Sequence, residues 1–423
     1  MTGFGGALVR VLQGAVVAQA IGFAALPILA RQYGPEAFGH FQLYQMISAF
    51  LLLLASMRYE VALLRAETER EYAAVLRLCL LCCAGMTVVT ALVCIAIAMC
   101  LELRPELRQL LWLLPLVTLF GGALQIMTYV VLRNEAFGIG AGAKVAQAVG
   151  YSGAGLAIGA LSPFGLGLVI ADILGRLLSF ATFALHRPSV GRVLDGEVRR
   201  SEVFSAARRY REFPLISLPG GLVNTAGGTI TSAMLYGYFD SHVSGQYGLV
   251  ERSLLLPLGM LAGAIAQVYT ARLASSLRAG KEEVVRTFRR LLGLLLATGV
   301  IPALVLGITA PELFVWTFGN QWRVAGEFAQ IMSPMLLTTY LMAPVNMVLV
   351  VLGKQITQSV WEACRLAALL LAWMTITGLD YTPKEAIVLH TVASVVMMVA
   401  YILIADASIR RHRLTTAAGA TVA

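Results

Sequence analysis

The sequence predicts an all-α integral membrane protein of about twelve transmembrane helices. Three observations predict it. Hydrophobic residues make up 58% of the 423 positions and charged residues only 13%. The mean hydropathy is +0.78. The charges gather in short blocks between long apolar runs. A hydrocarbon core about 30 Å thick needs about 20 apolar residues per crossing helix. Runs of that length also exclude barrel strands, because only helices satisfy the backbone of so long an apolar segment in lipid.

The expected spans are Val11–Ala30, Phe38–Ser56, Val75–Cys100, Leu110–Val131, Val145–Leu161 and Gly165–Ala184 in the first half. In the second half they are Pro214–Phe239, Gly245–Tyr269, Leu291–Ala310, Phe328–Leu352, Thr357–Thr377 and Ala386–Ile404. With the N-terminus cytoplasmic, 24 of the 32 Lys and Arg fall in inner connections, and only Arg31, Arg104, Arg108, Arg323 and Lys384 fall in outer ones. This asymmetry supports both the orientation and the span number, since a missed helix would invert the alternation. Both termini are expected on the cytoplasmic side.

The polar connection from His186 to Glu212 divides the chain into a first six-helix lobe (1–185), a cytoplasmic linker (186–213) and a second six-helix lobe (214–423). Its segment VRRSEVFSAARRYREF reads as an amphipathic helix on the inner membrane face. Two further interfacial helices are expected, at RYEVALLRAETERE after span two and ARLASSLRAGKEEVVRTFRR after span eight. An internal echo links the halves. Gly39-His40-Phe41-Gln42-Leu43 opens span two and Gly245-Gln246-Tyr247-Gly248-Leu249 opens span eight, as a six-plus-six repeat requires.

The net charge of +9 sits beside membrane helices without interleaved stacking aromatics, which points to anionic lipid and away from nucleic acid. All six cysteines fall in expected spans, with spacing unsuited to zinc or a disulfide framework. No cleavage signature marks the first apolar run, which is expected to stay as a helix. A phosphate-binding loop, a catalytic constellation and an extramembrane stretch long enough for an enzyme domain are all missing from the sequence, so no cofactor is expected and transport is the remaining activity. The Gly138–Gly142 run follows a membrane helix, not a strand, so it reads as helix packing or a flexible span entrance, as does Gly155–Gly159.

Charges within spans point to function, because lipid disfavours them unless they are paired or face water. Arg252 leads, about 10 Å below the outer end of span eight and beside Glu251. Arg365 follows Glu362 by three residues and Arg176 follows Asp172 by four, spacings that allow intrahelical pairing. Lys144 snorkels from the inner end of span five, and Arg31 and Arg58 complete the set of candidate cations. Gln13, Gln19, Gln45, Asn224 and Asn346 are candidates for a polar cavity lining or for interhelical hydrogen bonds. Pro214, Pro219, Pro257 and Pro344 are candidate kinks.

Five segments carry a family resemblance: ARQYGPEAFGHFQLYQMIS (Ala30–Ser48), MRYEVALLRA (Met57–Ala66), YREFPLISLPGGLVN (Tyr210–Asn224), GQYGLVERSLLLPLG (Gly245–Gly259) and FGNQWRVAGEFAQIMSP (Phe318–Pro334). In this order the chain resembles the Wzx-type (O-antigen) polysaccharide flippases of the multidrug/oligosaccharidyl-lipid/polysaccharide exporter superfamily. The resemblance implies two lobes around a central cavity that opens alternately to either side. It also implies a bacterial inner membrane and, as partners, an undecaprenyl-pyrophosphate-linked oligosaccharide, membrane lipid and other polysaccharide-assembly proteins. In the related lipid II flippases an arginine holds the place of Arg252 between Tyr247 and Pro257. The guanidinium suits a diphosphate because its planar donors stay charged at physiological pH. With no ATP site in the sequence, an ion gradient is the candidate energy source. The alternatives are a cation-coupled drug exporter, disfavoured because Val11–Ala30 holds neither Asp nor Glu, a glycan polymerase or ligase, disfavoured by short outer connections, and a non-transporting scaffold.

Overall fold

The protein is described by a computed structural model covering residues 4–185, 198–263, 265, 269, 281–351 and 354–420. Among these residues there are helices and turns and no strand. The helices are α1 (Phe4–Gln32), α2 (Pro35–Ala55), α3 (Glu69–Cys100), α4 (Pro105–Arg133), α5 (Phe137–Leu161), α6 (Gly167–Leu185) and α7 (Arg200–Arg209). They continue as α8 (Leu218–Met234), α9 (Ser241–Val250), α10 (Lys281–Phe318), α11 (Arg323–Val351), α12 (Gln355–Gly378) and α13 (Pro383–Ala420). Eight of them, α1 to α4, α6, α10, α12 and α13, are long and apolar enough to cross a membrane. The other expected spans correspond to α5, to α8 with its flanking turns, to the helical stretch from α9 to residue 263, and to α11.

Local sequence sets the helix starts. α2 and α4 open on Pro35-Glu36 and Pro105-Glu106. Each proline supplies a fixed φ where no intrahelical donor is needed, and each glutamate meets the positive end of the helix dipole. Thr68 caps α3, its Oγ1 accepting from the Glu71 amide at 3.2 Å. Apolar side chains then cover the spans on all sides, including outward-facing Leu81, Leu92, Ile308 and Leu371. Such a surface is suited to lipid.

Among the described residues, three π-helical turns interrupt the spans, at Phe213–Ser217, Leu235–Phe239 and Glu251–Leu255. The first and third each end two residues before a proline, Pro219 and Pro257. Proline cannot donate to the carbonyl four residues back and its ring crowds that carbonyl, and a widened turn relieves both conflicts. The expected kinks at Pro219 and Pro257 therefore take the form of π turns.

The contacts divide the chain into two compact units, 1–245 and 246–423, so α8 lies in the first unit, packed on α2. In that unit α5 packs on both α1 and α6, and glycines decide how closely. A Cβ on Gly150 would lie 2.9 Å from the Gly175 Cα, and one on Gly159 would lie 2.4 Å from Gln32 Oε1. The Gly155–Gly159 pair thus serves helix packing, as expected. In the second unit α10, α11 and α13 pack together, with Trp361, Tyr401, Phe288 and Met342 in one apolar cluster.

The two echoed glycines meet. A Cβ on Gly39 would lie 1.8 Å from the Ser241 carbonyl oxygen, and one on Gly245 would lie 1.7 Å from the Pro35 carbonyl oxygen. Each glycine faces the backbone four residues before the other glycine, the reciprocity that a two-fold repeat produces. Backbone cannot yield as a side-chain tip can, so Gly39→Ala is expected to destabilise the protein by about 1–3 kcal/mol. Gly220→Ala, with nothing within 4 Å of its Cβ, is expected to be nearly neutral on that score. Thermal unfolding of both variants in one detergent compares them. Equal midpoints would remove the crossing as a structural constraint.

One expected element is corrected. The segment after α2 forms a short 3-10 helix, Tyr59–Leu64, with Tyr59, Glu60, Ala62 and Leu63 buried, in place of an interfacial helix. Met57 and Arg58 adopt left-handed backbone (φ 49° and 65°), turning the chain back onto α3 and α4 before an amphipathic helix can form. The second expected interfacial segment lies partly outside the described residues, and its part from Lys281 is the first stretch of α10.

The amphipathic helix expected in the linker is α7. It is strapped to α3, with Ala206, Tyr210 and Phe213 buried in a cluster containing Tyr72, Leu63 and Val130. Tyr210 Oη donates to Glu71 Oε1 at 2.9 Å, and Arg209 reaches the same oxygen at 3.1 Å. Phe204, 73% exposed, remains on its free side.

Candidate functional site

Among its described residues the first unit holds two buried carboxylates, each matched to an arginine. In its core, Tyr44 Oη donates to Asp172 Oδ2 at 2.6 Å and Arg176 Nε donates to the same oxygen at 2.7 Å. Asp172 and Arg176 are 7% and 9% exposed, so the pair is removed from solvent. The i,i+4 spacing brings them together on α6, as the sequence allows, and Tyr44 ties them to α2. Gly121 on α4 leaves room for the guanidinium, since a Cβ there would sit 2.9 Å from Arg176 Nη1.

The second carboxylate is Glu60, fully buried beside the left-handed turn. Ser56 Oγ donates to one of its oxygens, Gln125 Nε2 donates to the other at 2.8 Å, and Arg58 Nη1 lies 4.0 Å from that oxygen. Arg58 Nε is buried without a hydrogen-bond partner among the described residues. Close by, Arg133 donates to the carbonyls of Leu63 and Ala66, both at 2.8 Å, closing this end of the unit around a basic rim.

The opposite end of the first unit is different in character. The α1–α2, α3–α4 and α5–α6 connections and the segment before α9 enclose a cavity of about 900 Å³, lined in part by Tyr33, His40, Arg104, Glu106, Tyr236 and Asp240. His40 Nδ1 is buried there with no hydrogen-bond partner among the described residues. Asp240 caps α9, accepting from the Val243 amide at 2.8 Å.

In the second unit Arg252 sits on the π turn Glu251–Leu255. Its side chain is half-buried and Nη1 donates to the Gly248 carbonyl at 3.3 Å. Ser253 Oγ donates to the Leu249 carbonyl at 2.7 Å, occupying an acceptor beside the widened turn. Just before it, buried Gln246 donates to the Gln321 carbonyl at 2.8 Å and accepts from the Ala325 amide at 2.9 Å, fixing α9 to the start of α11.

The other expected cations differ in their local surroundings. Arg365 makes no ion pair with Glu362 within 4.0 Å, contrary to the spacing. It lies over the Trp361 ring at 5.7 Å while Gln358 Nε2 donates to Glu362 at 3.1 Å. The ring offers the guanidinium an attractive face on its own helix. Lys144 and Arg31 are exposed, as is Asn224, whereas Gln45, Gln19 and Glu251 are half-buried. The side chains of Gln13 and Asn346 lie outside the described residues. Sequence reading missed the buried Tyr44, Glu60 and Gln125, and, separately, the acidic-end cavity. The missed signal was the acidic and histidine residues of the outer connections, where Glu36, His40, Glu106, Asp240 and His242 recur.

The profile of a family described as "Polysaccharide biosynthesis protein" matches residues 28–327. No functionally curated protein matches significantly. Among solved structures, the chain is similar to a lipid II flippase MurJ in an inward closed conformation, with a TM-score of 0.72 at 10% identity, covering 94% of this chain and 87% of that one. It is also similar to an inward-facing multidrug resistance MATE family transporter of the MOP superfamily, with a TM-score of 0.58 at 13% identity over 95% and 99% of the two chains. A MOP superfamily transporter from Pyrococcus furiosus matches with a TM-score of 0.55 at 14% identity, covering 96% of each chain. At these identities the likeness defines a multi-pass membrane fold shared by flippases and drug transporters.

Proposed function

Because the chain belongs to the polysaccharide biosynthesis protein family, we propose that it is a flippase for a lipid-linked oligosaccharide. It carries an undecaprenyl-pyrophosphate-linked glycan from the cytoplasmic to the periplasmic leaflet of a bacterial inner membrane by alternating access, and it is not an enzyme. Its termini are cytoplasmic, in keeping with the concentration of Arg and Lys in the connections on that side. The lipid tail stays in the bilayer while the polar head crosses a water-filled path, so no sugar enters hydrocarbon.

The observation that carries this reading is the contrast between the buried carboxylates and Arg252. A carrier of lipophilic cations needs an available carboxylate within its spans. In the first unit Asp172 is held by Arg176 at 2.7 Å and Glu60 has Arg58 at 4.0 Å, and α1 contains neither Asp nor Glu. Arg252, by contrast, is half-buried on a widened turn, the kind of helix irregularity common at functional sites. A half-buried guanidinium with planar donors suits a multi-oxygen anion such as a diphosphate. The fold likeness to a lipid II flippase agrees with a lipid-linked cargo, and an ion gradient is the proposed energy source.

The test is a paired assay in one proteoliposome preparation, measuring translocation of a lipid-linked oligosaccharide alongside efflux of a cationic dye. Glycolipid movement without dye efflux is the expected result. Dye efflux without glycolipid movement would replace this reading with a drug exporter.

A further inference from the structure

We propose that the cavity at the acidic end of the first unit is a glycan-binding vestibule, which takes the sugar end of the cargo apart from its diphosphate. This inference rests on the flippase reading above. The cavity's volume, about 900 Å³, lies toward the upper end of the roughly 300–1,000 Å³ range of ligand sites. Its wall combines three carboxylates, Glu36, Glu106 and Asp240, with a single permanent cation, Arg104. That balance repels a diphosphate and leaves the site to a neutral or amino-bearing ligand.

The side chains also fit a polyhydroxylated ligand. Carboxylates accept from hydroxyl groups and Arg104 donates to ring and hydroxyl oxygens. Tyr236 and Phe164 on the wall supply apolar ring surface for sugar C–H groups. His40 adds a buried Nδ1 with no hydrogen-bond partner among the described residues, 3.4 Å from where a Cβ on Gly165 would lie. A buried polar atom left unpaired is costly unless something completes it, and a sugar hydroxyl entering beside Gly165 would do so. No group of three metal-ligating side chains is present among the described residues, which disfavours a metal ion as occupant.

The vestibule is assembled from four separate connections, and its walls include the first turns of α2 and the start of α9. These are the segments locked together through Gly39 and Gly245. The backbone contact therefore braces the site without placing a side chain in it. By the proposed orientation the vestibule lies on the outer side, where the sugar arrives after crossing.

The test measures binding by the full-length protein in nanodiscs to two probes. One is the undecaprenyl-pyrophosphate-linked repeat unit that accumulates in the source cells when export is blocked, and the other is undecaprenyl pyrophosphate without sugar. Glu106→Gln and Tyr236→Ala are expected to weaken the glycolipid about tenfold, corresponding to roughly 1.4 kcal/mol, and to leave the sugar-free lipid unchanged. Arg252→Ala should weaken both. Unchanged glycolipid binding in both vestibule variants, or equal weakening of the two probes, overturns the vestibule while the flippase reading stands. Failure of the wild-type protein to bind either probe overturns the flippase reading and the vestibule with it. Glu106 is exposed on the wall, so its substitution keeps the test valid even if Tyr236→Ala fails to fold.

Discussion

Arg252→Ala is expected to lower glycolipid translocation by about one to two orders of magnitude, at unchanged amounts of protein in the membrane. A hydrogen bond to a charged group contributes about 1.5–3 kcal/mol, and the guanidinium is the proposed partner of the diphosphate. Folding should tolerate the change. The side chain is half-buried, and among its contacts is a 3.3 Å hydrogen bond to the Gly248 carbonyl one turn away on its own helix. Arg252→Lys keeps the charge but loses the planar donor fork, so it should retain an intermediate rate. The measurement is translocation into proteoliposomes normalised to reconstituted protein. Wild-type rates in Arg252→Ala would remove this residue from the transport path.

Asp172→Ala is expected to be the most destabilising single substitution in the first unit. It strands Arg176, 9% exposed, without its carboxylate partner. Breaking a buried pair by removing one member costs about 3–5 kcal/mol, because an uncompensated charge stays behind. Tyr44 Oη also loses its acceptor at 2.6 Å, and with it the tie from α2 to α6. Removing both charges should be far milder, since a buried pair can often be exchanged for apolar groups of similar volume. Asp172→Leu combined with Arg176→Met should therefore recover much of the unfolding midpoint lost by Asp172→Ala. If the single and double variants melt together, the pair has no structural role. If the double variant is well folded yet fails to transport, the pair also serves the cargo path.

The same comparison separates what a linear reading can and cannot reach. Helices were legible because hydropathy and length are properties of consecutive residues, and each expected span in the first six overlaps a helix, from α1 to α6. The Asp172–Arg176 pair was legible for the same reason, four residues being one turn. The Arg365–Glu362 pairing failed although its spacing was permissive, because the neighbouring Trp361 face and Gln358 compete for the two groups. Local spacing states which contacts are possible, and packing chooses among them. Sequence also showed the echo between Gly39 and Gly245, but nothing in it indicated that each glycine presses on the other's helix.

The sequence by itself determined a polytopic helical membrane protein and its charge asymmetry, because these follow from composition along one dimension. Only the tertiary structure decided which polar groups share a site. Glu60 meets Gln125 across 65 positions and Tyr44 meets Asp172 across 128. The acidic-end cavity draws its walls from four separate connections. Contacts of that separation depend on how helices cross, and the crossings are set by close approaches such as Gly150 to Gly175, where the absence of a side chain matters as much as any side chain present.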